Sequence, residues 1–300
     1  MIIRRIYISI MNSDNHLFVS LYYPQIGWHS LIKAVVIPFA DRLEEGFGRN
    51  CCILHLSYLR GENIGLTCRL PAGAIRDYGR LLKAQSTDFF SNNRLGRREN
   101  KNYGAVFFQD FPVHSVKFNL HRFPLEWSDK IREKFLFPLA TVLESVSGNI
   151  SSILSEDEID SLSVITFSFY LQVIAIKYFS RYLSDINEFF RYAASMMRGG
   201  GLRSPDDDRF AKIYLGIYEE NSEVLTQIID EIFNGAGAWP TGWARAFAYL
   251  DRVENKNDFS TIYREYKCLM NVIYAQLGLD GRSMIGFLNV ATRLEWKRPS

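Results

Sequence analysis

CILHLSYLRGENIGLTCRLP, residues Cys52–Pro71, alternates apolar and polar side chains on either side of the link Arg60-Gly61-Glu62-Asn63. Strict alternation is the period of a β-strand, and a short polar link containing glycine joins two such runs as an antiparallel hairpin. Cys52–Tyr58 and Ile64–Leu70 are therefore expected to pair, with Pro71 ending the second strand because it has no N–H to donate. The two-residue period puts Leu54, Leu56, Tyr58, Ile64, Leu66, Cys68 and Leu70 on one face, and His55, Ser57, Thr67 and Arg69 on the other. An imidazole, two hydroxyls and a guanidinium are thus offered together, although an antiparallel sheet with one wet side is the commoner setting for such a face.

Around this hairpin the N-terminal half reads as sheet with flanking helices. Arg4–Met11 and Phe18–Tyr22 are rich in β-branched and aromatic residues around Asn12-Ser13-Asp14-Asn15, which predicts two further strands. Ser30–Glu45 has helical spacing, with Ser30 as N-cap, Gly46 as stop and Pro38 as an internal kink. Ala72–Phe90 predicts a helix, and strands resume at Ala105–Gln109 and Ser115–Leu120. Between them RLGRRENKN, Arg94–Asn102, is a polar loop carrying Arg94, Arg97, Arg98 and Lys101. Such a run is ordinarily solvated, and it also suits an acidic peptide.

Past Ser128 the chain turns helical. Helices are expected from Ser128 to about Val146 with a bend at Pro138, from the capping box Ser155/Glu158 toward Tyr182, and over Asp185–Met197. Two more are expected from Pro205 and over Ser222–Phe233. The triplet Asp206, Asp207 and Asp208 suits the N-terminal dipole of a helix, whereas consecutive residues point around the axis and do not converge on one metal ion. GAGAWPTGW, Gly235–Trp243, lacks a phosphate-loop arrangement and places Trp239 and Trp243 at a turn.

Near the C-terminus, DFSTIYREYKCLMNVIYAQLGL, Asp258–Leu279, carries an apolar stripe of Phe259, Ile262, Tyr266, Leu269, Ile273 and Leu277. Tyr263, Lys267, Asn271 and Tyr274 follow the same period on a neighbouring face. A row of phenols, an amine and an amide suits a cleft; its plainer reading is a core edge with surface hydroxyls.

With 300 residues and 47% hydrophobic content the chain can bury a large core, and 35 basic against 33 acidic residues create no overall field that draws nucleic acid or a membrane surface. Val164–Phe179, the most apolar run, is interrupted by Ser168, Gln172 and Lys177 and is shorter than the roughly 20 residues of a span, so it is read as a buried helix. The N-terminus does not resemble a signal peptide. Cys51, Cys52, Cys68 and Cys268 have neither metal-ligand nor disulfide-scaffold spacing, which places the chain in a reducing cytoplasm. Zinc, P-loop and nucleophile-elbow motifs are missing, and cofactor-free acid–base chemistry is what the side chains support. The expected class is α+β: one unit over 1–300, with a mostly antiparallel sheet in 1–127 and a mainly helical half over 128–300.

The order of segments resembles the C-terminal elimination domain of lantibiotic dehydratases and its standalone relatives in thiopeptide biosynthesis. RRIYISI corresponds to their first strand and LIKAVVIPFADRL to their proline-containing helix. CCILHLSYLRGENIGLTCRLP lies in the place of the hairpin FIRYxDPxxHLRLRF, with Tyr58 at its tyrosine and Arg69 at the second arginine. CLMNVIYAQLGL keeps the length and the Leu-Gly-Leu ending of the helix HMHxNRLGI. Thr67 stands at the first arginine of the pair, Gly65 at the preceding histidine, Asn271 and Ile273 at the helix histidines, and Ala275 and Gln276 at its Asn-Arg. No RYGG segment occurs, LHRFPLEW being the nearest stretch.

In the elimination enzymes those residues remove glutamate from glutamylated Ser and Thr. Their replacement here, with the chain length, resembles the pyridine synthases that use the same fold to close thiopeptide macrocycles. The resemblance implies a formal [4+2] cycloaddition of two dehydroalanines in a modified precursor peptide, with loss of the leader peptide. Such enzymes spend tyrosine and serine, rather than the Arg/His set, on catalysis; for that chemistry the side chains of this sequence offer Tyr263 and Tyr274 for proton transfer, Arg69 and His55 for polarising an amide oxygen, and Asn271 as an orienting partner. Ser57, Thr67 and Lys267 would line the substrate site, Trp239 and Trp243 would stack on azoles, and Arg94, Arg97, Arg98 and Lys101 would hold the leader. No cofactor and no metal are implied, and a homodimer is an admissible assembly. Glutamate elimination and non-catalytic leader binding are the alternatives.

Overall fold

A computed structural model describes residues 16–47, 52–96, 110–123, 161–199, 205–234, 258–279 and 281–294. The expected strands Arg4–Met11 and Ala105–Gln109, the helix from Ser128, the capping box at Ser155, the tryptophan segment and the loop beyond Gly96 lie outside these residues. The chain divides into two compact units, Met1–Ser161 with Ala275–Gly278, and Leu162–Tyr274 with Leu279–Ser300.

Among the described residues, the first unit contains a four-stranded antiparallel sheet in the order β2-β3-β1-β4, formed by β1 His16–Tyr22, β2 Cys52–Ser57, β3 Asn63–Arg69 and β4 Ser115–Phe118. The hairpin forms as its alternation predicts, with Leu54 opposite Leu66 and His55 opposite Gly65. Its turn uses left-handed backbone at Arg60 (φ 59°) and Gly61 (φ 115°), and the glycine accepts that conformation without a Cβ penalty. β4 ends at Phe118, short of the expected Leu120.

Leu17, Val19 and Leu21 join Leu54, Leu56, Ile64, Leu66 and Cys68 on the apolar face. Helix α3, Ala72–Asn92, packs there: a Cβ on Gly79 would sit 3.5 Å from side-chain carbons of both Leu17 and Phe118. A helical run precedes β2 as α1 Trp28–Leu31, a π-helical turn Ile32–Val36 and α2 Ile37–Phe47. It begins two residues before Ser30, which is therefore not its N-cap. Pro38 brings no N–H to the ladder, and the wider π turn immediately before it takes up the mismatch expected as a kink. Trp28, Leu31, Ile32, Phe39 and Leu43 are buried along this run.

The second unit is helical: α4 Ser161–Ser180, α5 Ile186–Gly199, α6 Pro205–Asn234, α7 Phe259–Gln276 and α8 Gly281–Ala291. The two helices expected after Pro205 form one element that breaks its geometry at Asn221 (φ −125°, ψ 20°), whose side-chain amide turns back to Ile217 O at 2.9 Å. Asp185 Oδ1 caps α5 through the N–H groups of Asn187 and Glu188, and Asp258 caps α7 through Ser260 and Thr261. The polar interruptions of α4 are used internally: Gln172 Oε1 accepts from the Tyr266 hydroxyl at 2.9 Å, and Lys177 Nζ donates to Ile232 O. Leu171, Val173, Ala175 and Ile176 are fully buried around them, and no described helix is long and apolar enough to cross a membrane.

Candidate functional site

In the first unit, strand register alone assembles a polar sheet face. β2 contributes His55 and Ser57, β3 contributes Asn63, Gly65, Thr67 and Arg69, and β1 contributes His16, Ser20 and Tyr22. Four of the residues expected from the hairpin, His55, Ser57, Thr67 and Arg69, therefore do share one surface. That surface is not the wet side that antiparallel sheets commonly keep. His55 is 4% exposed and Thr67 2%, while Ser57 and Arg69 are half-buried.

The cover comes from the segment after β4. The Phe123 ring lies 4.7 Å from the His55 ring, and the Thr67 hydroxyl donates to Phe123 O. Gly65 makes room beneath: a Cβ there would fall 2.0 Å from His55 Cε1, so any larger residue at this position excludes the imidazole. Burial strips the ring of water and, with the charge of His121 nearby, pushes its pKa down from 6.5 to about 3. His55 is consequently a neutral imidazole at physiological pH, able to donate one hydrogen bond and accept another.

Two groups on this face keep unused hydrogen-bonding capacity. Asn63 Nδ2 donates to Leu59 O at 3.2 Å and to Gly61 O at 2.9 Å, which fixes the amide orientation and turns Oδ1 the other way. That oxygen and His55 Nδ1 are both buried with no partner among the described residues. The Tyr22 hydroxyl lies 3.4 Å from His121 Nε2 and 3.4 Å from Leu59 O, and burial raises its pKa to about 12 against the lowering effect of Arg60. Tyr22, Asn63 and His121 were missing from the expected set. The two-residue period of β1 does point Tyr22 to the polar face, whereas nothing local marks His121 in LHRFPLEW.

Four expected residues lie in the second unit, on α7. Ile262, Tyr266 and Ile273 are fully buried as the apolar stripe requires, but Tyr263 (6% exposed) and Tyr274 (1%) are buried as well. The buried arc is thus wider than the stripe, and the phenols do not end at the surface. Lys267 and Asn271, between them on the same row, are half-buried. The Tyr263 ring meets the Tyr192 ring edge-on at 6.0 Å, and Lys267 Nζ lies 5.9 Å from its centroid. Its hydroxyl is buried without a partner among the described residues, and burial together with Tyr192 raises its pKa, which keeps it a protonated donor.

The last turn of α7 belongs to the first unit. Gln276 Nε2 donates to Leu54 O of β2, the outermost of the described strands, at 2.8 Å, and a Cβ on Gly278 would lie 3.1 Å from Tyr58 Cε2 and 3.2 Å from Leu56 O. Gly278 has φ 70°, and the Leu279 N–H reaches back to Tyr274 O at 2.8 Å, the hydrogen bond of a left-handed helix stop. Of the basic loop, Arg94 is exposed and raises the cost of charging His114, whose pKa is lowered mainly by burial; Arg97, Arg98 and Lys101 lie outside the described residues, as do Trp239 and Trp243.

No family model matches the chain, and no curated protein matches it. Among solved structures, the chain is similar to the pyridine synthase TbtD from thiomuracin biosynthesis, at 12% identity and a TM-score of 0.63, over 93% of this chain and 97% of that one. It is also similar to the tRNA-dependent lantibiotic dehydratase MibB from Microbispora sp. 107891, at 12% identity and a TM-score of 0.52, over 93% of this chain and 27% of that one. The fold is therefore the one expected from the order of segments.

Proposed function

We propose that this chain is a pyridine synthase of thiopeptide type, joining two dehydroalanines of a modified precursor peptide in a formal [4+2] cycloaddition. The observation that carries the reading is the fold likeness to TbtD along nearly the whole length of both chains. One dehydroalanine and its amide, as the iminol tautomer, act as the azadiene, and the second dehydroalanine supplies the two-carbon partner. Loss of water and of the leader, as its amide, from the six-membered ring gives the pyridine.

This chemistry asks for two alkenes held together, for a hydrogen bond to an amide oxygen, and for an acid and a base in the eliminations. On the sheet face, half-buried Arg69 is assigned to polarising the amide oxygen, joined by neutral His55 once Phe123, whose ring covers it at 4.7 Å, moves aside. Ser57 and Thr67 line this surface. On α7, Tyr263 is a proton donor, Tyr274 a second phenol for proton transfer, and Asn271 and Lys267 orient the peptide. Arg94, Arg97, Arg98 and Lys101 are assigned to acidic residues of the leader, and Trp239 and Trp243 to the azoles of the core peptide.

The likeness to MibB favours one second reading, removal of glutamate from glutamylated Ser or Thr with Arg69 holding the leaving carboxylate. Mass spectrometry separates the two. The purified chain is incubated with a dehydrated, azole-bearing peptide and, separately, with a glutamylated one. Ring closure with leader release is the expected result; glutamate loss from the second peptide would select elimination, and binding without turnover of either would leave a leader-binding protein.

A further inference from the structure

The hairpin's apolar face brings together two thiols that the proposed chemistry does not use. Strand register pairs Cys52 of β2 with Cys68 of β3, and their sulfurs stand 3.4 Å apart. Neither is joined in a disulfide, Cys68 is fully buried and Cys52 is half-buried at the open end of the hairpin. A disulfide needs sulfurs at about 2.05 Å and Cβ atoms at roughly 3.5–4.5 Å, so closing this pair takes side-chain rotation together with an approach of the two strands by up to about 1 Å. Opposed positions on antiparallel strands hold their Cβ atoms at about 4.5–5.5 Å, at the upper limit of that range or just beyond it.

We infer that Cys52 and Cys68 form an oxidisable dithiol, in which Cys52 is the sulfur that meets a peroxide and Cys68 the sulfur that resolves it. The Cys52 thiolate attacks one peroxide oxygen, the O–O bond breaks, hydroxide leaves and Cys52 becomes a sulfenic acid. The Cys68 thiol then attacks that sulfur, the S–OH bond breaks, and a proton joins the departing hydroxide as water. The two cysteines are oxidised by two electrons and the peroxide is reduced to two waters. The order of attack follows exposure, since Cys52 is the accessible member of the pair. The product staples β2 to β3 on the face opposite His55, Ser57, Thr67 and Arg69, closing a loop that spans the turn and limiting the unfolded chain.

The experiment treats the full-length folded protein with hydrogen peroxide, blocks remaining thiols with an alkylating reagent, and maps the digest by mass spectrometry. The expected result is a mass loss of two hydrogens, a Cys52–Cys68 cross-link, alkylation of Cys268, and a thermal midpoint raised by several degrees that dithiothreitol reverses. Cys51→Ser should keep the cross-link and Cys52→Ser should abolish it, stopping at no disulfide. Full alkylation of both thiols after peroxide, a cross-link through Cys51 or Cys268, or a cross-link surviving in Cys52→Ser would each overturn the inference. Oxidation in protein that has first unfolded would do so as well, so circular dichroism is recorded before and after treatment.

Discussion

Gly65 and His55 compete for one volume on the polar face of the sheet, and the glycine yields it to the ring. The three atoms nearest a methyl group placed on Gly65 all belong to His55, at 2.0, 2.1 and 2.7 Å. Gly65→Ala should therefore destabilise the protein by about 1–3 kcal/mol in chemical denaturation, and the same change in a His55→Ala background should cost much less. The imidazole also carries a pH signature. Its folded pKa is lowered to about 3 from 6.5, so between these values the unfolded chain holds a proton that the folded chain refuses. The stabilisation is complete above 6.5 and is lost as pH falls toward 3. Denaturation midpoints of wild type and His55→Leu should diverge in slope across that window, by up to about 1.4 kcal/mol per pH unit; parallel slopes would mean that the ring is not held neutral. Arg69→Ala and Tyr263→Phe leave the hairpin and helix patterns intact, and each should lower turnover by about 10²-fold while the thermal midpoint moves little.

Helix α7 shows how one element combines two packing duties. Its start is set by Asp258, whose carboxylate accepts from Thr261 Oγ1 and from the Ser260 and Thr261 amides; these bonds, the hydroxyl first, hold its pKa below the usual carboxylate value. Its end is set by Gly278, where the backbone is left-handed and a strand passes within van der Waals range. Gly278→Ala should destabilise by more than the ~1 kcal/mol of a conformational change alone, because the methyl group also meets Leu56 O at 3.2 Å. Urea denaturation tests this, and a loss below that figure would separate the backbone conformation from the strand contact. The helix stop was legible as Leu277-Gly278-Leu279, and the apolar stripe as a three-to-four period. The burial of Tyr263 and Tyr274 was not, because a phenol at the margin of a stripe suits either core or surface until neighbours such as Tyr192 are in place.

At the scale of the whole molecule, the likeness of fold reaches 97% of TbtD and 27% of the dehydratase MibB. The proposed function predicts ring closure by the purified chain on a dehydrated, azole-bearing peptide with no added tRNA, measured by mass shift of the peptide product, and glutamate loss from a glutamylated peptide without ring closure would return the reading to elimination. Local chemistry was enough to define the hairpin, the helix of α7, the helical run through Pro38 and the α+β character, because alternation, three-to-four spacing and Gly or Pro stops act over a few residues. The sheet's polar face had to wait for the fold. His55 and Thr67 become buried only when the chain returns with His121 and Phe123, and Leu54 O meets its donor from Gln276, 222 residues further on. Contacts of that separation depend on which faces the assembled elements present to each other, and no periodicity along the chain encodes their partner.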